Sequence, residues 1–139
     1  MNAVDTNVYV YALDSDEPAK QAKAVELLDP LALKPADSAI MWQVASEFLG
    51  QLRKWESKGH LTSAAVEAAF NRFRAIFPLR FPSAGVFQVS FDLRSRFSLS
   101  HWVSMLLAAC KEAGVTTLYS EDMAAGTSYD GITIVNPFA

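Results

Sequence analysis

The chain has 139 residues, a formal net charge of −3 and one cysteine, Cys110. At 51% hydrophobic and 19% charged residues it reads as one globular domain with a real core, not a disordered segment. The acidic balance carries no overall signature of a nucleic-acid binder, though it leaves room for a local basic patch, and a lone cysteine excludes a disulfide framework or a multi-cysteine zinc site.

The first ten residues read MNAVDTNVYV, an apolar run broken at once by Asp5-Thr6-Asn7 and resumed from Val8 to Leu13. A short strand, a polar turn and a helix explain this pattern, and they put Asp5 at the carboxyl end of the strand, where ligands of parallel α/β sheets bind. An ionised carboxylate there needs a metal, a cation or convergent donors to compensate it. Asp5 can equally cap the following helix, and both readings stand on this stretch alone. The same interruption prevents a signal-peptide core from forming, and no run approaches the ~18 apolar residues of a membrane span. A soluble, cytoplasmic protein with no membrane partner is therefore expected.

Ala22, Val25 and Leu28 recur at helical spacing from Pro18, and Asp29-Pro30 is expected to end that helix. A short buried strand follows at Ser38 to Met41. Val44, Phe48, Leu52 and Trp55 line one stripe of a helix over 44–55, with Glu47 near the edge of that stripe. A glutamate there is ordinarily solvated. Gly59-His60 reads as a turn, and Thr62 caps a third helix running to about Ile76. Arg53, Lys54, Lys58, Arg72 and Arg74 make this middle segment the most basic, as solvated faces or as phosphate contacts.

Pro78 and Pro82 break the pattern. Val86 to Val89 reads as a short strand and Ser90 to Arg96 as a short helix. Ser100 caps a helix that buries Leu106, Leu107 and Cys110 and stops at Gly114. Thr116 to Tyr119 is a β-branched strand with Ser120-Glu121-Asp122 at its carboxyl end, and Ile132 to Val135 is the last strand. Asp92 and Asp130 read as a solvated helix residue and a turn residue. Strands alternating with helices predict a three-layer α/β/α sandwich around a mainly parallel sheet of four to five short strands.

Four separated stretches together resemble the PIN-domain family, especially VapC-like toxins of bacterial toxin–antitoxin pairs. They are Val4-Asp5-Thr6-Asn7, Glu47 within the helix Gln43 to Leu52, Leu118 to Met123, and Ile134-Val135-Asn136-Pro137-Phe138. They bracket almost the whole chain in the family's order, as one domain over 1–139. The resemblance implies a metal-dependent endoribonuclease in which Asp5, Glu47 and Asp122 hold Mg2+ or Mn2+, a set suited to hard cations. Thr6, Asn7, His101 and Glu121 are weaker candidates around them, Thr6 or Asn7 steadying the first turn. It further implies an RNA substrate, a homodimer and a cognate antitoxin, with Trp42, Trp55 and Phe73 as candidates for exposed interface aromatics.

The chain departs from the family at Val103, which stands where an aspartate is usual and cannot bind a metal. His101, two residues earlier, offers a nitrogen better suited to Mn2+ or zinc than to Mg2+; otherwise Trp102 and Val103 simply pack. The competing expectation is a catalytically silent PIN-fold module that binds a partner protein or RNA. A haloacid-dehalogenase-like enzyme is set aside because Asn7 stands where its second aspartate is needed. A dinucleotide-binding domain is set aside because Asp5 to Tyr11 contains no glycine.

Overall fold

The computed structural model describes residues 1–139. Its centre is β1 (Asn2–Val4), flanked by parallel neighbours β2 (Ser38–Met41) and β4 (Thr117–Tyr119). Outside these lie β3 (Leu79–Arg80) and β6 (Ile132–Val135), and the sheet closes on the antiparallel β5 (Ser128–Tyr129), giving the order β3-β2-β1-β4-β6-β5. All four residues of β2 are buried, as a strand covered on both faces requires, whereas β6 alternates buried and exposed residues.

Helices α1 (Thr6–Leu13), α2 (Pro18–Ala32), α3 (Trp42–Ser57) and α4 (Ser63–Arg74) pack among themselves. Helices α5 (Val86–Phe97) and α6 (His101–Glu112) form a second pair. With this strand order, the right-handed crossovers general to parallel strands put the first set on one face of the sheet and the second on the other. Within the first set Tyr9 of α1 meets Phe73 of α4 edge-on at 4.7 Å and Phe48 of α3 packs on Phe73 at 4.5 Å. Cys110 is fully buried, and burial pushes its thiol up to about 12, so it is inert at neutral pH.

The three-layer sandwich is as expected, with six strands instead of four to five. The two extra strands are two residues long, too short to show alternation. β3 is held because Leu79 lies in register with Ile40 between the breaking prolines. β5 is held by the hairpin at Asp130-Gly131, where φ values of 55° and 91° make the paired left-handed turn that matches strand twist.

Val86 to Val89 is helical, not a strand. Val86, Ser90 and Leu93 are buried and Val89 and Phe97 half-buried, a helical repeat that spans the whole of α5. α2 runs through Pro30 to Ala32. Pro30 and Glu26 both face solvent, so water can satisfy the Glu26 carbonyl that the proline leaves without a donor. Among the proposed interface aromatics, Trp42 is exposed, Trp55 half-buried and Phe73 part of the core. Trp102 does not pack, being 65% exposed, while Val103 is half-buried against the core. No helix is long and apolar enough to cross a membrane.

Candidate functional site

Between β1 and β4 the sheet order reverses direction, and the carboxyl ends of these two strands lie side by side. The Asp5 amide donates to the Tyr119 carbonyl at 2.8 Å, locking the two exits together. One residue separates β1 from α1 and none separates β2 from α3, so two helix N-termini open on this same edge. That is where a parallel sheet binds ligands, and it is where the positive ends of the helix dipoles favour negative groups.

Asp5 both caps α1 and belongs to this edge. One carboxylate oxygen accepts the Thr6 amide at 2.7 Å and the other the Ser120 hydroxyl at 2.8 Å. Burial raises its carboxyl above the ordinary aspartate range, the bonds from Ser120 and Thr6 pull it back, and the charges of Asp122 and Glu47 push it up again. Glu47, exposed on α3, accepts the Thr6 hydroxyl at 2.9 Å and the Gln43 amide at 3.0 Å. Asp122 accepts the Asn7 amide at 2.8 Å, and its own N–H donates to the Ser120 hydroxyl at 3.1 Å. Partial desolvation raises its carboxyl too, helped by the negative charges of Glu121 and Glu47 against the Asn7 bond.

Asp5, Glu47 and Asp122 are thus brought to one edge, each held by neutral donors, and no lysine or arginine pairs with any of them. As the side chains stand, no group of three His, Cys, Asp or Glu is gathered tightly enough to chelate an ion. The donor set nevertheless suits a hard divalent cation: oxygen ligands only, with mutual repulsion that bound positive charge would relieve. Thr6 bonds to Glu47 and Asn7 to Asp122.

Glu121 does not join the group. It accepts the Tyr11 hydroxyl at 2.8 Å and pairs with Lys20 at 3.2 Å, and the Lys20 ammonium sits 4.5 Å from the Tyr11 ring centre. His101 is exposed at the start of α6, its ring edge-on to Trp102 at 4.7 Å and without a hydrogen bond to the acids. Asp92 and Asp130 are spent elsewhere, both on Arg96, with Lys111 also pairing with Asp130.

Two site residues escaped the sequence reading. Ser120 is fully buried and links the Asp5 carboxylate to the Asp122 backbone; its one signal is its place directly after β4. Gln43 lies one helical turn before Glu47, a spacing that was legible, and it also donates to the Trp102 carbonyl at 3.2 Å across to α6.

Acids at the switch point of a three-layer sandwich are compatible with several α/β folds. No family model matches the chain, and no curated protein matches it in sequence. Solved structures do share the fold. VapBC2 from Rickettsia felis, bound to a DNA fragment from their promoter, superposes with a TM-score of 0.70 at 14% identity over 96% of each chain. A toxin–antitoxin complex from Klebsiella pneumoniae gives 0.68 at 18% identity, covering 99% of this chain and 98% of that one. Mycobacterium tuberculosis VapC20, a Sarcin-Ricin loop cleaving toxin, gives 0.58 at 18% identity over 88% and 90%. At these identities the likeness is one of fold alone.

Proposed function

We propose that the protein is a metal-dependent endoribonuclease of the toxin type, cleaving RNA phosphodiester bonds at the edge formed by Asp5, Glu47 and Asp122. The observation that carries this reading is the convergence of three carboxylates, unpaired with any cation, at the switch point of the sheet. The fold shared with a Sarcin-Ricin loop cleaving toxin and with toxin–antitoxin complexes supports it. Mg2+ or Mn2+, when bound, supplies an activated water and neutralises charge on the scissile phosphate.

The chain's own residues do the positioning. Ser120 and the Thr6 amide fix both oxygens of Asp5, leaving its remaining lone pairs for a cation. Thr6 and Gln43 hold Glu47 from opposite sides, and Asn7 turns Asp122 toward the same edge. Partners follow the same reading: an antitoxin protein that covers the acidic edge, and a second copy of the chain in a homodimer. Val103, with no acid in the first turn of α6, favours the second reading of a catalytically silent module that binds protein or RNA.

Cleavage of a mixed RNA pool in Mg2+ or Mn2+, with Asp5→Asn as control, separates the two. Metal-dependent cutting that disappears in the variant supports the nuclease. No cutting by folded wild-type protein assigns the silent module.

A further inference from the structure

Beside the carboxylates, a groove of about 370 Å3 runs between the starts of α3 and α6, lined chiefly by Trp42, Gln43, Phe87, His101, Trp102 and Met105. Aromatic rings dominate its mouth, Trp42 being 48%, Phe87 61% and Trp102 65% exposed. No Asp or Glu lines it, in contrast to the acidic edge next door.

The groove and the acids are continuous through Gln43. Its amide donates both to Glu47, at 3.0 Å, and to the Trp102 carbonyl, at 3.2 Å, so one side chain ties a proposed metal ligand to the groove's far wall. Trp42 and Trp102 occupy the first turns of α3 and α6, and neither turn carries an acidic residue. The positive end of the α6 dipole has no acid in its own first turn and is complementary in charge to a polyanionic strand.

We infer that the groove is a stacking subsite for an unpaired nucleobase of the RNA strand, taken up on the Trp42 and Trp102 rings next to the scissile phosphate. The inference rests on the RNA reading of the acidic edge and narrows it to single-stranded or looped substrates. Every base offers a flat face to an indole, so such a subsite selects for unstacked nucleotides without reading one sequence. Within a duplex the base is stacked on its neighbours and cannot enter.

The test is anisotropy of a labelled single-stranded oligoribonucleotide titrated with protein that keeps Asp5, in Ca2+ in place of Mg2+, so that binding is read without cutting. Adding Trp102→Ala or Trp42→Ala should weaken binding roughly 5- to 150-fold, the range for loss of one stacked base. Trp102→Phe should restore most of it, and a duplex of the same length should be insensitive to all three changes. Equal affinity across the variants, or no binding of the oligoribonucleotide at all, overturns the subsite. So does an alanine variant that turns a dimer into a monomer while RNA affinity holds, since the face then belongs to a second copy. Stacking-dependent binding by a wild-type protein that cuts no RNA leaves the subsite standing and overturns the nuclease reading alone.

Discussion

Ser120→Ala removes one oxygen from the centre of the acidic edge, and its consequences can be worked from the contacts. The hydroxyl is fully buried, donates to Asp5 at 2.8 Å and accepts the Asp122 amide at 3.1 Å. Losing a hydrogen bond to a charged group costs about 1.5–3 kcal/mol when no water can replace it. For a chain of this length that corresponds to a fall in Tm of roughly 3–12 °C. The cost should depend on pH. Burial holds the Asp5 carboxyl above its ordinary value, so the folded chain binds its proton more tightly than the unfolded chain. The charged form therefore penalises folding at neutral pH, and this penalty disappears as pH falls below the ordinary aspartate value. Without Ser120 the carboxyl rises further and the neutral-pH penalty grows, so the gap between variant and wild type should narrow in acid. Urea unfolding of metal-free protein at neutral pH and again in mild acid reads both quantities. A loss below about 0.5 kcal/mol at neutral pH, or an equal loss at both, refutes a charge-dependent role and leaves only packing.

Val103→Asp restores an acid to the first turn of α6 beside its Ser100 cap and should raise Mn2+ affinity by calorimetry; unchanged affinity in a folded variant places this turn outside the metal site. Asp5→Asn should abolish that Mn2+ binding, and retained binding would remove Asp5 from the ligand set. Arg96 and then Lys111 hold the Asp130 carboxyl far below its usual range, so its stabilisation is present at neutral pH and fades as pH falls through the carboxylate range. Asp130→Asn should thus lower the neutral-pH urea midpoint and match wild type in strong acid, and a deficit that persists in acid would deny the ion pairing. Leu93→Ala, at a site with 0% exposure, should cost about 2–5 kcal/mol by urea unfolding; a loss under 1 kcal/mol would be inconsistent with the buried face of α5.

What the sequence disclosed follows from how far each signal reaches. β1, β2, β4 and β6 are apolar runs bounded by turn residues, and the caps Thr62 and Ser100 stand where the structure uses them. β3 and β5 have no periodicity because each is two residues long and exists through its partner strand. Val86 to Val89 misled because two valines in a four-residue window look like a strand, whereas the stripe that decides it runs on to Leu93 and Phe97. Asp5, Glu47 and Asp122 are proposed from the resemblance carried by the stretches around them, and the donors that hold them were only partly visible. Thr6 and Asn7 stand in the same stretch as Asp5; Ser120 contacts a residue 115 positions away, a relation fixed by strand pairing alone.

The same geometry explains why one turn of helix governs the whole edge. Thr6 gives its amide to Asp5 and its hydroxyl to Glu47, and Asn7 gives its side chain to Asp122. Two consecutive residues thus touch all three acids, and the Asp5 amide, bonded to Tyr119, fixes that turn against β4. Like charges so placed repel, and the upward shifts at Asp5 and Asp122 are partly that repulsion; the neutral donors hold the acids near one another without cancelling their charge. On the proposed reading such an edge suits a divalent cation in a way that the Lys20-paired Glu121, a residue before Asp122, does not. By that reading neighbouring carboxylates divide into a proposed ligand set and an ion-paired residue according to whether a lysine reaches them. That division, more than the count of acids, separates Asp122 from Glu121 in a stretch where the sequence makes them look alike.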